Sequence, residues 1–358
     1  QKLKQSVGIL KAIDAVEPHY KRAKAEWKEK GSSRYQKRGI GIGCMYYGIG
    51  NTGVQNPSSA KIEMDSKGRI TLYTGAADMG QGSTTILTQI LCEVLGIESS
   101  EVQLIVADTK WTPNAGATSA SRQTYISGNA VKNAAQKLSD LLIAGAADIL
   151  KVPGDNLVLK NSFVMDVEDD SRKVSFQELA RTLSDSGTEF CFEGYFDPET
   201  TTLDPETGQG IPYATYAFAC HLALVQVDAQ TGEVHVTKII AAHDVGKAIH
   251  PQNVEGQIQG GVAMGLGFAL MEEYMPGITT SMAHYHIPTS LDMPKIESIL
   301  IEDPEPTGPF GAKGVGEPVL IPTAPAILNG IADALGVRIY HLPANPENVR
   351  NAINGNIL

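Results

Sequence analysis

The chain of 358 residues has only four cysteines and lacks a long apolar run, and each shortage excludes a class of protein. No run approaches the roughly 20 apolar residues that cross a bilayer. The opening residues are not followed by the apolar core of a signal peptide. We therefore expect a cytoplasmic protein without membrane contact. The chain does not begin with Met, so we expect a start that is trimmed or that lies within a longer polypeptide.

The cysteines are too scattered in sequence to hold an iron–sulfur cluster. They include no CxxC pair and have no histidine at metal-ligand spacing, whereas such a cluster needs about four closely placed thiolates. We predict that they are buried free thiols, and we expect any iron–sulfur cluster to lie on a partner subunit. Their positions are Cys44, Cys92, Cys191 and Cys220.

Positive charge is concentrated at the start of the chain. Residues 1–38 hold 11 Lys or Arg against 4 Asp or Glu, a charge of +7, which leaves −18 of the total of −11 to the rest. An acidic body repels phosphate backbones, so we expect no nucleic-acid partner. Leu10, Ile13 and Val16 are spaced as on one helical face. Residues 1–37 therefore predict a basic helical arm or linker that docks on a partner.

Turn residues divide the rest of the chain into a pattern that occurs twice. Residues 62–73 predict a hairpin that turns at 65–68, and residues 224–240 predict a second that turns at 228–232. A glycine-containing loop and a helix follow each hairpin. The predicted elements do not alternate regularly as strand, helix and parallel strand. We therefore predict the α+β fold class, with two pseudo-related hairpin-plus-helix halves. The predicted division is an arm over 1–37, a first α+β unit over 38–150, strands, a helix and a surface loop over 151–215, and a second α+β unit over 216–358.

Two loop segments in the first half suit an anionic ligand. Residues 79–83 and 116–123 each precede a predicted helix, where unpaired amides and a partial positive charge favour an anion. In the second segment small hydroxyl residues and the cation of Arg122 suit a phosphate. The alternatives are a glycine turn capped by Ser83 and a Ser/Thr-rich capping loop. The candidate binding residues are Gly80, Gln81, Gly82, Thr118, Ser119, Ser121 and Arg122.

Two further segments lie in the second half. Residues 253–261 place Gln257 among glycines, which suits a ligand, a helix packed through small residues, or both. Residues 308–318 contain four glycines, and Pro318 biases Glu317 toward an extended backbone. A carboxylate presented from such a loop is a candidate general base, and the alternative is an exposed surface acid.

Histidines form two pairs in the second half of the sequence. His243 and His250 flank a glycine-containing loop, and His284 and His286 are two residues apart on a predicted strand. No cysteine or carboxylate completes a metal-ligand set with them. We therefore expect structural or substrate-pocket roles for these side chains rather than metal ligation.

Taken in order, the four loop segments resemble the molybdenum-binding subunit of the xanthine dehydrogenase and aldehyde oxidase family. The most specific motif is Gly-Ala-Lys-Gly-Val-Gly-Glu-Pro at 311–318, and the resemblance covers about residues 38–350. Residues 47–53 and 116–123 are most similar to bacterial nicotinate dehydrogenases and purine hydroxylases. The resemblance covers the C-terminal half of the family's large subunit. It implies that the first half lies on a separate partner chain or has been removed.

The resemblance also implies a cofactor and a reaction. The cofactor is a molybdopterin dinucleotide in its cytosine form, whose molybdenum is held by the pterin and not by protein side chains. Glu317 would take a proton from a molybdenum-bound hydroxyl, so that oxygen derived from water attacks an electron-poor carbon of a purine or nicotinate-like ring. Hydride would pass to a sulfido or selenido ligand.

Partner subunits with iron–sulfur clusters and FAD would carry the electrons, and the isolated chain would be inactive. The alternative is a non-catalytic assembly or binding module. Besides the candidates above, the resemblance implies cofactor contacts from Gln257, Lys313, Gly314, Val315 and Gly316, and a substrate pocket with Tyr46, Tyr47, Phe310 and residues 284–286.

Overall fold

The computed structural model describes residues 1–30, 33–52, 54–185 and 187–355. Within these ranges the chain forms two compact units. The first contains Gln1, Ile49–Ala214 and Glu305–Gly314, and the second contains Lys2–Gly48, Thr215–Pro304 and the chain from Val315 onward. The helices are α1 (Ile9–Lys30), α2 (Ser83–Leu95), α3 (Gly128–Leu150), α4 (Phe176–Asp185), α5 (Pro251–Leu270), α6 (Thr323–Leu335) and α7 (Pro346–Ile353). The strands are β1 (Gln36–Gly48), β2 (Ser58–Met64), β3 (Ile70–Thr74), β4 (Val102–Val106), β5 (Leu157–Lys160), β6 (Phe163–Asp166), β7 (Lys173–Ser175), β8 (Cys191–Phe196), β9 (Tyr216–Asp228), β10 (Val234–Asp244) and β11 (Lys295–Ile301).

The first unit is built around a four-stranded sheet in the order β4-β3-β2-β8. Its hairpin β2–β3 is antiparallel with Ile62 opposite Leu72, and β2 alternates buried and half-buried side chains, as a strand with one covered face does. Helix α2 leads from the hairpin to β4, which pairs with β3 in parallel. Helix α3 packs across β2 and β8. The approach is so close that a Cβ atom at Gly194 would lie 2.5 Å from the amide of Ala134.

The second unit is built around a four-stranded sheet in the order β1-β9-β10-β11. Its hairpin β9–β10 is antiparallel with Leu222 opposite Ile240. Helix α5 leads from the hairpin to β11, which pairs with β10 in parallel. Helix α6 packs across β1 and β9, and a Cβ atom at Gly41 would lie 2.8 Å from the carbonyl carbon of Asn329. The close helix–strand contact therefore depends on glycine in this unit too.

Each unit thus contains an edge strand, a hairpin, a crossover helix and a strand parallel to the second hairpin strand. This topology confirms the predicted α+β class and the duplication of a hairpin followed by a helix. The expectation that parallel strand pairing is missing is wrong for one pair in each of the two four-stranded sheets. Helices α2 and α5 are each long enough to return the chain to the same end of the sheet, which is what a parallel pair requires.

Helix α1 forms where a helical arm was predicted, but of the three residues predicted on its buried face only Val16 is buried. Ala12, Val16 and Ala23 are buried, whereas Leu10 is 70% exposed and Ile13 is 40% exposed. Ala12 and Val16 pack in one apolar cluster with residues of β9 and β10. The small side chain of Ala12 allows α1 to pack closely against β9 and β10. Within the described ranges, no helix is both long and apolar enough to cross a membrane.

All four cysteines are free, as predicted, but the expectation that all are buried is wrong. Cys44 and Cys191 are exposed, whereas Cys92 and Cys220 are buried. Cys44 lies on β1 and Cys191 lies on β8, which are edge strands of their sheets. An edge strand has only one neighbour, so its side chains are covered less completely.

Candidate functional site

Asp78 organises the first predicted loop. Its carboxylate accepts hydrogen bonds from the amides of Gly80 (2.9 Å), Gly82 (3.3 Å) and Thr84 (3.0 Å), and from the Thr84 hydroxyl (2.8 Å). Burial raises the pKa of Asp78, but these hydrogen bonds outweigh it and hold the pKa below its usual value. The chain's own carboxylate therefore occupies amides that the sequence assigned to an external anion. Asp78 was not among the predicted site residues, although its place just before the glycines was the available signal.

Gln81 is engaged within the same loop. Its side-chain carbonyl accepts from the amide of Met79 (2.6 Å), and its side-chain amide donates to the carbonyl of Ala77 (3.1 Å) and to the Ser83 hydroxyl (3.0 Å). Ser83 does not cap α2, because the N-cap is Gly82 with φ 81°. Gln81 thus fixes the shape of the loop, and a bound ligand would have to exchange one of these hydrogen bonds.

Arg122 lies inside the second predicted loop, with 1% of its surface exposed. One guanidinium nitrogen donates to the carbonyls of Ala115 (2.5 Å) and Ala117 (3.0 Å), and another donates to those of Asn56 and Pro57 (both 2.8 Å). Burial lowers the pKa of Arg122. The sequence predicted a cation that faces a phosphate, but these donors are used within the protein. Arg122 therefore holds two loop segments together.

We expect Arg122→Lys to destabilise the first unit by about 2 kcal/mol or more, because a lysine lacks the planar fork and leaves buried carbonyls without donors. The measurement is the free energy of unfolding in urea. Arg181→Lys is the matched control in the same unit, since Arg181 is exposed on α4. Equal stabilities of the two variants would contradict the role given to Arg122.

Thr118 connects the first two predicted loops. Its hydroxyl donates to the carbonyl of Ala77 (2.8 Å) and accepts from the side-chain amide of Gln123 (2.9 Å). Gln123 also donates to the carbonyl of Ala117 (3.2 Å) and accepts from the hydroxyl of Ser127. These hydrogen bonds place residues 77 and 118 side by side, so the structure brings two separately predicted segments together.

Residues 119–121 meet the stretch that precedes β2. The hydroxyl of Ser119 donates to the side-chain carbonyl of Asn51 (3.3 Å), and the amide of Gly50 donates to the carbonyl of Ala120 (3.0 Å). Ala120 and Ser121 have φ of 51° and 54°, a region that non-glycine residues rarely adopt. Such conformations cost of order 1–3 kcal/mol each and cluster at ligand sites. Because of these two backbone conformations, the loop of residues 119–121 remains a candidate binding element.

Gly314 brings the fourth predicted segment onto the second. A Cβ atom at Gly314 would overlap the carbonyl oxygen of Ser121 and lie 2.8 Å from its carbonyl carbon. Lys313, which precedes it, is 2% exposed. The two backbones can approach this closely only because residue 314 has no side chain.

Polar contacts of residues that were not predicted as part of the site fix the start of the fourth segment to the first unit. The hydroxyls of Tyr125 and Thr307 are 2.7 Å apart, and the side-chain amide of Asn129 donates to the carbonyl of Thr307 (2.8 Å). Tyr125 and Asn129 are spaced by one helical turn, and this spacing was the sequence signal that their side chains share one face of the helix.

Phe310 is 39% exposed with φ 52°, and the Lys132 ammonium lies 5.0 Å from its ring centre.

Tyr47 and Glu317 come together in the second unit. The hydroxyl of Tyr47, near the end of β1, donates a hydrogen bond to Oε2 of Glu317. The carbonyl of Glu317 accepts from the amide of Leu320 (3.3 Å), which closes a turn. Glu317 is exposed, so this chain alone does not enclose it in a dry pocket. Tyr46 is 74% exposed and its ring lies 6.2 Å from that of Tyr216.

Helix α5 packs through one face and presents Gln257 elsewhere. A Cβ atom at Gly261 would lie 2.7 Å from the carbonyl carbon of Val319. At this position the helix therefore packs closely through a small residue, as one of the two sequence interpretations expected. Val315 packs against the core of the unit, and Gly316 is exposed. Gln257 is half-buried, and its side chain makes no hydrogen bond to any residue that the structure describes.

Two buried histidines lie on neighbouring strands of the second unit. His221 and His243 are 0% and 1% exposed, and their Nε2 atoms are 2.6 Å apart. The Nδ1 atom of His221 lies 3.0 Å from the hydroxyl of Thr323, the first residue of α6. Burial lowers the pKa of both rings, that of His243 to about 3, and the neighbouring His243 lowers the pKa of His221 further. Both rings are therefore neutral near pH 7.

We expect the second unit to lose stability as the pH falls from about 6.5 toward 3. In this range the two histidines bind protons in the unfolded state, whereas the buried pair in the folded state stays neutral, so protonation favours unfolding. His243→Asn should flatten the fall in the urea midpoint over this range. His235→Gln, a change at an exposed position of the same strand, should leave it unchanged. A wild-type slope in His243→Asn would contradict this account.

The remaining histidines differ in part from expectation. His250 has the structural role that was expected, because its Nδ1 accepts from the amide of Asn253 (3.3 Å) at the start of α5. The strand predicted at His284 and His286 is wrong: residues 281–290 form turns and irregular backbone. Three or more His, Cys, Asp or Glu side chains do not gather as a metal site anywhere in the described ranges.

The comparisons with known proteins identify the family. Residues 13–294 match the molybdopterin cofactor-binding domain family. The chain is 33% identical over 323 residues to the xanthine dehydrogenase molybdenum-binding subunit of Escherichia coli, covering 87% of this chain and 41% of that protein. It is 31% identical over 375 residues to the nicotine 6-hydroxylase large subunit of Paenarthrobacter nicotinovorans, covering 97% of this chain and 44% of that protein.

A solved structure shows the same fold. The aldehyde oxidoreductase of Desulfovibrio desulfuricans superposes with a TM-score of 0.82 at 33% identity, over 97% of this chain and 36% of that one. The chain belongs to the molybdopterin cofactor-binding domain family, and its relatives include molybdenum-dependent oxidoreductases. This confirms the family resemblance and the fold that it implied. The chain spans less than half the length of these relatives.

The segment 47–53, on which part of the resemblance rests, includes Gly53, and this residue lies outside the described residues.

Proposed function

We propose that this chain is the second half of the large subunit of a molybdenum hydroxylase, and that Glu317 is its general base. The observation that carries the proposal is the hydrogen bond from the Tyr47 hydroxyl to the Glu317 carboxylate. A general base must be held in one orientation toward the proton that it accepts. Tyr47 supplies that restraint from a strand, and the turn closed by Leu320 supplies it from the backbone.

The residues present fit a molybdopterin dinucleotide by the type of donor that they offer. A Cβ atom at Gly80 would meet nothing within 4 Å, so a bulky group can reach this backbone. Ser119 and Ser121 bring hydroxyl and amide donors to a loop with left-handed backbone, and the side-chain amide of Gln257 makes no hydrogen bond to any described residue. We assign these residues, with Gly82, Thr118 and the stretch 313–316, to holding the cofactor in its cytosine form. Gln81 and Arg122 shape the loops.

The chain's own part in the reaction is proton transfer and positioning. When bound, the molybdenum centre would supply the oxidising equivalents. Glu317 accepts the proton of the water-derived oxygen nucleophile as that oxygen attacks an electron-poor carbon. Tyr47 keeps the carboxylate in place while the proton moves. Because Glu317 is exposed here, exclusion of bulk water depends on the first half of the molybdenum domain.

The proposed substrate is an N-heteroaromatic ring of the purine or nicotinate type. Two of the relatives are named for xanthine and nicotine, which are such rings. Tyr46 and Phe310, both exposed aromatic residues, are candidates for contact with the ring. Because the relatives are more than twice as long as this chain, we propose that the first half of the molybdenum domain, on a partner chain or in the same longer polypeptide, completes the site. Further subunits would carry iron–sulfur clusters and FAD.

Metal and pterin analysis of the complex purified from its natural source through a tag on this chain tests the proposal. We expect molybdenum, a pterin, cytidine nucleotide after acid hydrolysis, and co-purifying chains that contain iron and flavin. A folded chain that purifies alone without molybdenum or pterin would overturn the enzyme assignment. It would favour a non-catalytic assembly module.

A further inference from the structure

Cys44 and Cys220 lie directly opposite each other on neighbouring strands of the second unit. Strands β1 and β9 are antiparallel, and their register pairs these two residues. Directly opposite residues have Cβ atoms about 4.5–5.5 Å apart, and a disulfide needs only a small further approach. Residues that face each other in this way have their side chains on the same face of the sheet. The backbone therefore brings two sulfurs together that are 176 positions apart in sequence.

The surroundings of the two sulfurs differ. Cys220 is 1% exposed and packs with Ala12 and Val16 of α1, whereas Cys44 is exposed. Burial, together with the neighbouring Cys44, raises the pKa of Cys220 to about 12. Cys220 thus stays protonated and shielded, and a dissolved oxidant meets Cys44 first.

We propose that Cys44 and Cys220 are a modification site, at which a peroxide converts the thiol pair into a reversible disulfide. The sulfur of Cys44 takes one oxygen as the peroxide O–O bond breaks, which gives a sulfenic acid and one water. The thiol of Cys220 gives up its proton to the sulfenic oxygen as its sulfur attacks that of Cys44, the S–O bond breaks, and the oxygen leaves with that proton as a second water. Two thiols are oxidised, one peroxide is reduced, and a dithiol reductant reverses the change.

The other two cysteines have different neighbours. Cys191 lies beside Glu63, whose carboxylate it meets at 3.8 Å, and burial followed by that charge raises its pKa. Cys92 lies 3.8 Å from the hydroxyl of Ser99. Neither has a second thiol beside it among the residues that the structure describes. Peroxide should therefore produce one disulfide within the chain, between residues 44 and 220.

Peptide mass analysis tests the pair without ambiguity in a Cys191→Ser background. Trypsin leaves Cys44 in peptide 39–61 and Cys220 in peptide 182–238, and the second peptide also contains residue 191. The native protein is treated with hydrogen peroxide, remaining thiols are alkylated, and the digest is examined before and after dithiothreitol. We expect the two peptides as one linked species, about 2 Da lighter than their sum, which the reductant separates.

The control variants separate the proposal from general oxidation. Cys220→Ala, which suits the apolar cluster around it, should abolish the linked species and leave Cys44 to gain about 32 Da as a sulfinic acid. Cys92→Ser should leave the linked species unchanged. The proposal is overturned if the native protein gives no linked species while Cys44 gains oxygen. It is equally overturned if the linkage forms only after unfolding in urea.

Discussion

Glu317→Gln is expected to lower turnover of the assembled complex by about 10³-fold or more, since loss of a positioned general base costs about 10²–10⁴-fold. Glutamine keeps the size and can still accept a hydrogen bond from Tyr47, so the local structure should persist. Molybdenum and pterin content should equal those of the wild type. The measurement is steady-state oxidation of xanthine or nicotinate, normalised to molybdenum.

Variants of matched chemistry make this result specific. Tyr47→Phe should lower turnover by about 10- to 100-fold, because a hydrogen bond to a charged group is worth roughly 1.5–3 kcal/mol. Glu273→Gln and Tyr35→Phe change exposed residues of the same unit and should leave turnover unaltered. Normal activity in Glu317→Gln with full molybdenum content would rule out Glu317 as the base.

Gly314→Ala is expected to have the largest effect on stability and on cofactor content. The added methyl group would overlap the backbone of Ser121, which cannot move aside as the end of a flexible side chain can. Overpacking of this kind costs up to about 3 kcal/mol, at the upper end of the usual range. Since Ser121 belongs to the proposed cofactor loop, molybdenum content should fall together with the free energy of unfolding.

Gly154→Ala provides the control within the same unit. There a Cβ atom would meet only a methyl group of Ile143, at 3.2 Å. That side chain can rotate, so we expect a stability change below about 1 kcal/mol and unchanged molybdenum content. Similar results for the two variants would mean that the contact between Gly314 and Ser121 has no special importance.

Local sequence patterns predicted the elements because their causes are local. The turns at 65–68 and 228–232 determine the two hairpins, and apolar periodicity determines helices α2 and α3. The order of the four loops identified the family, which the comparisons confirm. The roles of the individual site residues, Glu317 included, stay predictions that the variants above test.

Long-range pairing and burial were beyond the reach of the sequence. Strand β1 joins β9 across more than 160 residues, so nothing near Tyr47 indicated its sheet partner. Arg122 looked like an exposed cation because its four carbonyl partners lie on two separate segments. On α1, Leu10 is more apolar than Ala12, yet close packing selects the smaller side chain for the buried face.

The source of the transferred oxygen tests the central claim most directly. A single turnover of the purified complex in heavy-oxygen water, with whichever of xanthine or nicotinate it oxidises, should place the heavy isotope in the hydroxylated product. The label should be missing when only molecular oxygen is heavy. Incorporation from molecular oxygen, or a product without label from water, would contradict a molybdenum hydroxylase in which Glu317 activates a water-derived oxygen.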